Sequence, residues 1–309
     1  NSAVRAINPA SSVSRQQILL YGFHLPSKKL YNFAEGDYPL FHPASHSIVF
    51  IRNGQPWSVS LNEPEKAASQ LFYTAGSVNS LQWSPDGQKL LFVASRSGHS
   101  FIGIYDEAKP RIQWVSPSFH RDRSPQWSPD GKAVVFVRTP ASGGALGSIL
   151  VARHQPWTIM KASVAGGDAE KVWSAPPTIR GSVPPWQGSF NLRWNHGDKI
   201  TFLSYQDGWP HLYQIAPDGS GFKQLTKGNF TTDQFSYSSD GRYIAFAANH
   251  GPEKEDLDRK HIALVDLQNG AFRMLTSGAG IEAYPVFLNN NRSLAYLSST
   301  LERSYLPAV

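Results

Sequence analysis

The chain has 309 residues, no cysteine, and 29 Lys and Arg against 23 Asp and Glu, a formal charge of +6; disulfides and thiolate metal sites are therefore excluded. Its basic residues are spread along the sequence with no Lys/Arg run interleaved with aromatics, so no nucleic-acid partner is expected, and no apolar run approaches the ~20 residues of a membrane helix. With 22 Pro, 25 Gly and no sustained helical period, an all-β chain is predicted.

Residues 1–40 hold two strand-like runs, 16–23 and 29–33, which are read as N-terminal strands available to complete the first or last sheet of the fold. From residue 41 onward the sequence repeats. Trp83-Ser84-Pro85-Asp86-Gly87 and Trp127-Ser128-Pro129-Asp130-Gly131 are identical pentapeptides 44 residues apart, each followed by an apolar, β-branched run. Pro presets φ for a turn, Asp bonds the backbone ahead of it, and Gly takes a positive φ, so each copy predicts a strand ending at Trp, a tight turn and a returning buried strand.

Degenerate copies are anchored at Phe41, Trp194, Tyr237 and Phe287, which gives anchors at 41, 83, 127, 194, 237 and 287. Between anchors a further strand, an Asp-Gly or Asn-Gly turn and a closing strand ending in Leu-Thr recur, as at Asp218-Gly219 before Leu225-Thr226 and at Asn269-Gly270 before Leu275-Thr276. A period in the low forties built from four short strands predicts a β-propeller of four-stranded blades over residues 41–309. Six repeats are recognisable, and a seventh or eighth blade is left open.

The gap from 127 to 194 exceeds the period, so an inserted arm is expected around 139–193, a blade's worth of chain plus surplus loop. Insertions in propellers collect in loops on one face, where binding commonly resides. Downstream, the run 251–261 pairs carboxylates at Glu255, Asp256 and Asp258. Such pairs can do acid/base or cation work; the competing reading is a charged loop in which Asp258 accepts hydrogen bonds from strand-end backbone or Arg259.

Catalytic signatures are missing from the sequence. There is no Gly-x-Ser-x-Gly, no His-Glu-x-x-His and no phosphate-cradling Gly-x-x-x-x-Gly-Lys, and the ten histidines are scattered, so no catalytic residue, metal or cofactor is assigned. Candidate binding residues are Arg121 and Arg123, whose guanidiniums flank Asp122 and can grip a substrate carboxylate or carbonyl. A surface salt-bridge cluster is the plainer reading of the same three residues. Trp209 and His211, in Asp207-Gly208-Trp209-Pro210-His211-Leu212-Tyr213, either face a channel or interface or belong to a hairpin packed between blades.

Together with the turn repeat, this last run, Asp256-Leu257-Asp258-Arg259-Lys260-His261 and Leu275-Thr276-Ser277-Gly278-Ala279-Gly280-Ile281-Glu282 resemble the propeller of the prolyl oligopeptidase family, in particular its bacterial dipeptidyl-peptidase-IV-like members. The resemblance implies a non-catalytic propeller that gates and orients short peptides for an α/β-hydrolase domain of the same parent chain. That family's dipeptidyl peptidases hold the substrate amine with a Glu pair on the arm; here the arm has one Glu, Glu170, which joins Arg121 and Arg123 as a candidate substrate-binding residue and leaves aminopeptidase, acylaminoacyl and oligopeptidase activities open. A periplasmic or secreted location is the expectation, with a cytoplasmic one and a homo-oligomer also open. The first residue is Asn1, not Met, and a removed leader or larger parent is expected. The alternative reading is a stand-alone propeller similar to the Tol type, binding a partner's peptide through its axial opening.

Overall fold

The computed structural model describes residues 17–63, 65–141, 151–184 and 190–309. They form two compact units, one running to Pro125 and one from Gln126, with Ala141 counted to the first. Parts of the predicted N-terminal segment (1–16) and of the predicted arm (142–150 and 185–189) lie outside the described residues.

In the first unit, β1 (Leu19–His24) and β2 (Lys29–Glu35) pair as an antiparallel hairpin. A sheet in the order β3 (Asp37–Phe41), β4 (Ser47–Arg52), β5 (Gln55–Ser60) and β6 (Ser69–Gln70) comes after it. The hairpin sits against it, with Leu20 and Phe33 packing on Ile48, Phe50 and Val59. Next come β7 (Ser77–Trp83), β8 (Lys89–Arg96), β9 (His99–Asp106) and β10 (Arg111–Val115), again antiparallel in chain order.

Strand β11 (Arg121–Trp127) crosses the boundary between the units. The second unit continues with β12 (Ala133–Thr139), β13 (Thr158–Ser163) and β14 (Glu170–Ser174), so the predicted arm, 139–193, contains two ordinary blade strands, β13 and β14, with surplus chain before and after them. Two complete four-stranded sheets come next. The first is β15 (Arg193–Asn195), β16 (Lys199–Ser204), β17 (His211–Ile215) and β18 (Lys223–Gln224). The second is β19 (Thr232–Tyr237), β20 (Tyr243–Ala248), β21 (His261–Asp266) and β22 (Phe272–Met274). The final sheet has three strands, β23 (Ile281–Leu288), β24 (Ser293–Thr300) and β25 (Arg303–Ala308). A short 3-10 helix, Lys254–Leu257, is the one helix among the described residues.

Every anchor residue lies in the strand that opens a new repeat, and behind Trp83, Trp127 and Tyr237 the turn forms for the reason its sequence suggests. In the second pentapeptide Ser128 Oγ donates to Asp130 Oδ1 at 2.6 Å, the Lys132 N–H donates to the same oxygen at 3.0 Å, and the Ala133 N–H donates back to Ser128 Oγ at 2.9 Å. Gly131 takes φ +69°, which a Cβ would resist. The same bonds recur around Ser84 and Asp86 and around Ser238 and Asp240.

The returning strand places a phenylalanine in the core of each of five repeats, Phe50, Phe92, Phe136, Phe202 and Phe246, all fully buried. Strand β16 is buried on both faces, and one apolar cluster joins Val135, Ile159, Phe202 and Tyr213 across two successive sheets of the second unit. Each sheet thus has no core of its own and is stabilised by the neighbour it packs against.

Each first strand carries a break that the sequence did not announce. Three residues before each anchor a non-glycine residue sits at positive φ: Tyr38 (54°), Ser80 (55°), Ser124 (49°), Asn191 (43°), Gln234 (55°) and Tyr284 (54°). In four of these strands the register slips there, between Asp37 and Leu40, Asn79 and Gln82, Asp233 and Ser236, and Ala283 and Val286. These are β-bulges, which re-aim side chains at the cost of backbone strain.

Candidate functional site

A cavity of about 360 Å³ opens in the first unit among β7, β8, β9 and β11. The hairpin turn from β8 to β9, with Gly98 at φ +81°, carries Arg96 and His99 to its edge. Strand β11 meets β9 in parallel at Arg121 and Ser100, which brings Arg121 and Arg123 to the opposite wall. The bulge of β7 supplies Ser80, and the positive-φ position of β11 supplies Ser124, to the same lining.

Period-two alternation along β11 decides its charge. Arg121 and Arg123 share the face that lines the cavity, whereas Asp122 between them is fully buried and is not part of the lining. The sequence-level picture of two guanidiniums flanking one carboxylate therefore separates into two environments. Burial, and then the charge of Arg121, push the Arg123 guanidinium below its ordinary pKa. No aspartate or glutamate lines the cavity.

The rest of the lining is held by short polar contacts. Arg96 Nε donates to the Ala75 carbonyl at 3.2 Å, and its guanidinium lies 5.0 Å from the Phe101 ring centroid and 5.9 Å from that of Trp114. Asn79 Nδ2 donates to Ser95 Oγ at 3.0 Å and Ser80 Oγ to Asn79 Oδ1 at 3.1 Å. Ser100 Oγ donates to the Asp122 carbonyl at 2.7 Å, which ties the end of β9 to β11. The arrangement can bind and orient an anionic or carbonyl-bearing group.

The remaining sequence candidates lie in the second unit. Glu170 starts β14, is exposed, and faces Lys161 Nζ at 3.5 Å. His211 is fully buried at the head of β17, with Nδ1 2.9 Å from Thr226 Oγ1 and Nε2 2.9 Å from the Gly228 carbonyl. Burial pushes its pKa down, against smaller opposing effects of the Gly228 carbonyl and Asp207. Trp209 is half-buried, its N–H donating to Asp207 Oδ1 at 3.2 Å.

The hydrogen bonds expected at Asp258 belong to Asp256 instead. Asp258 is exposed at the C-terminus of the 3-10 helix, whereas buried Asp256 accepts from the Glu253 N–H at 2.9 Å, from Arg259 at 3.4 Å and meets His261 Nε2 at 3.3 Å. The helical turn rotates the second carboxylate of the pair inward and leaves the third in solvent. His261 Nδ1 lies 2.7 Å from Glu282 Oε2, so Asp256, His261 and Glu282 form one buried cluster, with the half-buried Thr276 donating to Glu282 at its edge. The motifs that carried the family resemblance thus fasten strands.

Sequence reasoning missed Arg96, His99, Ser80 and Ser124. Arg96 and His99 flank a Gly-containing hairpin, a local signal, but their meeting with β11 depends on strand adjacency alone.

The fold is a β-propeller. Over 96% of its length the chain matches the β-propeller domain of the trilobed protease from Pyrococcus furiosus, with a TM-score of 0.62, 16% identity and 88% of that domain covered. A putative dipeptidyl aminopeptidase IV from Bacteroides ovatus matches 92% of the chain with a TM-score of 0.61 at 13% identity. An oligogalacturonate lyase in complex with manganese matches 94% of the chain and 83% of its own, with a TM-score of 0.61 at 11% identity. No curated protein matches the sequence.

Residues 161–257 match the family described as the dipeptidyl peptidase IV N-terminal region. Over that segment in sequence, and throughout in fold, the chain is similar to the N-terminal propeller domain of prolyl oligopeptidase family peptidases. It spans about half, 47%, of the Bacteroides ovatus protein. The cavity between β7 and β11 lies outside the matched segment.

Proposed function

We propose that this chain is the non-catalytic propeller of a serine exo- or oligopeptidase, gating and orienting short peptides for a separate α/β-hydrolase domain. The observation that carries the reading is the match of residues 161–257 to the dipeptidyl peptidase IV N-terminal region, in a sequence without Gly-x-Ser-x-Gly. The propeller contributes by admitting short chains and fixing their ends, which lowers the entropic part of the barrier for a nucleophile supplied elsewhere. A cavity of about 360 Å³, at the small end of ligand sites, suits one or two residues of peptide and not a folded chain.

The coding sequence downstream of codon 309 tests the reading. A reading frame that continues into Gly-x-Ser-x-Gly, with a later Asp and His, and whose product cleaves unblocked aminoacyl or aminoacyl-Pro reporters is the expected result. A stop codon at that point would overturn it in favour of a stand-alone propeller that binds a partner's peptide.

A further inference from the structure

We propose that the cavity walled by β7, β8, β9 and β11 is a carboxylate subsite that selects short peptides presenting a C-terminal or acidic side-chain carboxylate, an inference that rests on the peptide-orienting role above. Three guanidiniums, Arg96, Arg121 and Arg123, converge on one partly enclosed space whose lining holds no carboxylate. Burial strips water from the half-buried Arg123 guanidinium and the charge of Arg121 adds to that cost, so its pKa is depressed. An anion seated beside Arg123 offsets that cost.

The chemistry of the walls fits a carboxylate. A guanidinium presents a planar fork of N–H donors that matches two carboxylate oxygens. Arg96 is already fixed by the Ala75 carbonyl and the faces of Phe101 and Trp114, so little side-chain entropy remains to be lost on binding. Ser80 and Ser124, in the lining, are held at φ +55° and +49°, a strained backbone kept at both positions. The Ser124 hydroxyl adds a neutral donor for the peptide backbone beside the charge.

Calorimetric titration of the 309-residue chain with three probes tests the proposal: N-acetyl-Ala-Ala with a free carboxylate, N-acetyl-Asp-Ala-amide, and the neutral N-acetyl-Ala-Ala-amide. One charge-assisted pair predicts that at least one anionic peptide binds about tenfold or more tighter than the neutral amide, with the difference shrinking as salt is raised. Which anionic peptide gains identifies the C-terminus or the side chain as the source. Arg123→Gln is expected to abolish the preference and Arg123→Lys to keep part of it, each with an unchanged thermal midpoint. Equal binding of acid and amide, or an undiminished preference in R123Q, overturns the subsite. Tighter binding of inorganic phosphate than of either acidic peptide also overturns it and reassigns the cavity to phosphate. A stop codon after residue 309 would remove the peptidase reading while leaving the acid-versus-amide contrast measurable, so the two failures are distinguishable.

Discussion

At the residue scale, the serine and aspartate of each turn act as one unit. Asp86, Asp130 and Asp240 are held below the ordinary carboxylate value of 3.8, first by the serine hydroxyl two residues earlier and then by the backbone N–H two residues later. A carboxyl whose pKa is lower in the folded chain contributes stability that is present above its unfolded value and is lost as pH falls through the folded value. The window therefore lies below pH 3.8. Ser128→Ala removes the largest cause of the depression at Asp130, so its thermal midpoint is expected below that of the parent chain at neutral pH, the gap narrowing as pH falls below 3.8. Midpoints from a pH series check this, and a gap independent of pH would assign the loss to Ser128 packing alone. The turns were legible because Ser-Pro-Asp-Gly acts within a few residues. Asp256 was not distinguished from Asp258 because only the helical turn between them decides which carboxylate faces inward.

At the scale of elements, a recurring device joins the third and fourth strands of a blade. His211 heads β17 and bonds Thr226, the end of a Leu-Thr pair, whose hydroxyl also accepts from the Leu212 N–H at 3.0 Å. In the next sheet the Ile262 N–H donates to Thr276 Oγ1 at 2.8 Å, and His261 reaches Glu282 beside the same hydroxyl. The sequence displayed His and Leu-Thr at matching places but not their contact, which pairing brings about. Thr226→Val keeps the shape and removes the hydroxyl, leaving the His211 nitrogen and a buried N–H without that partner, at a cost of about 2–3 kcal/mol. Urea unfolding checks it; a loss below about 0.5 kcal/mol would show that water or rearrangement replaces the bond. Histidine in these motifs is thus explained by strand closure, and the family resemblance reported architecture more than site.

For the whole molecule, the repeat shows why the fold was largely readable and the site was not. Anchors, turns and the core phenylalanines are set by residues close in sequence, so they could be read in order. The positive-φ positions fall on Tyr38, Ser80, Ser124, Asn191, Gln234 and Tyr284, with no shared side chain, because backbone register and not residue type places them. The cavity then needs two such positions and two non-neighbouring strands at once. The repeat also has a weak member. In the last sheet Tyr296 lies nine residues after its anchor, as the buried phenylalanines Phe50, Phe92, Phe136 and Phe246 do after theirs, yet it is only half-buried. Strand β25 pairs with β24 alone among the described residues, and its Tyr305 and Leu306 are 47% and 49% exposed. Backbone hydrogen bonds with little apolar cover open at low free energy, whereas those of fully buried strands open only with the fold. Amide exchange followed by mass spectrometry should therefore show peptides from residues 293–309 exchanging at least about tenfold faster than those from β16 and β17, whose strands are almost wholly buried. Equal protection of both regions would overturn this expectation and require that something outside the described residues covers the edge of β25.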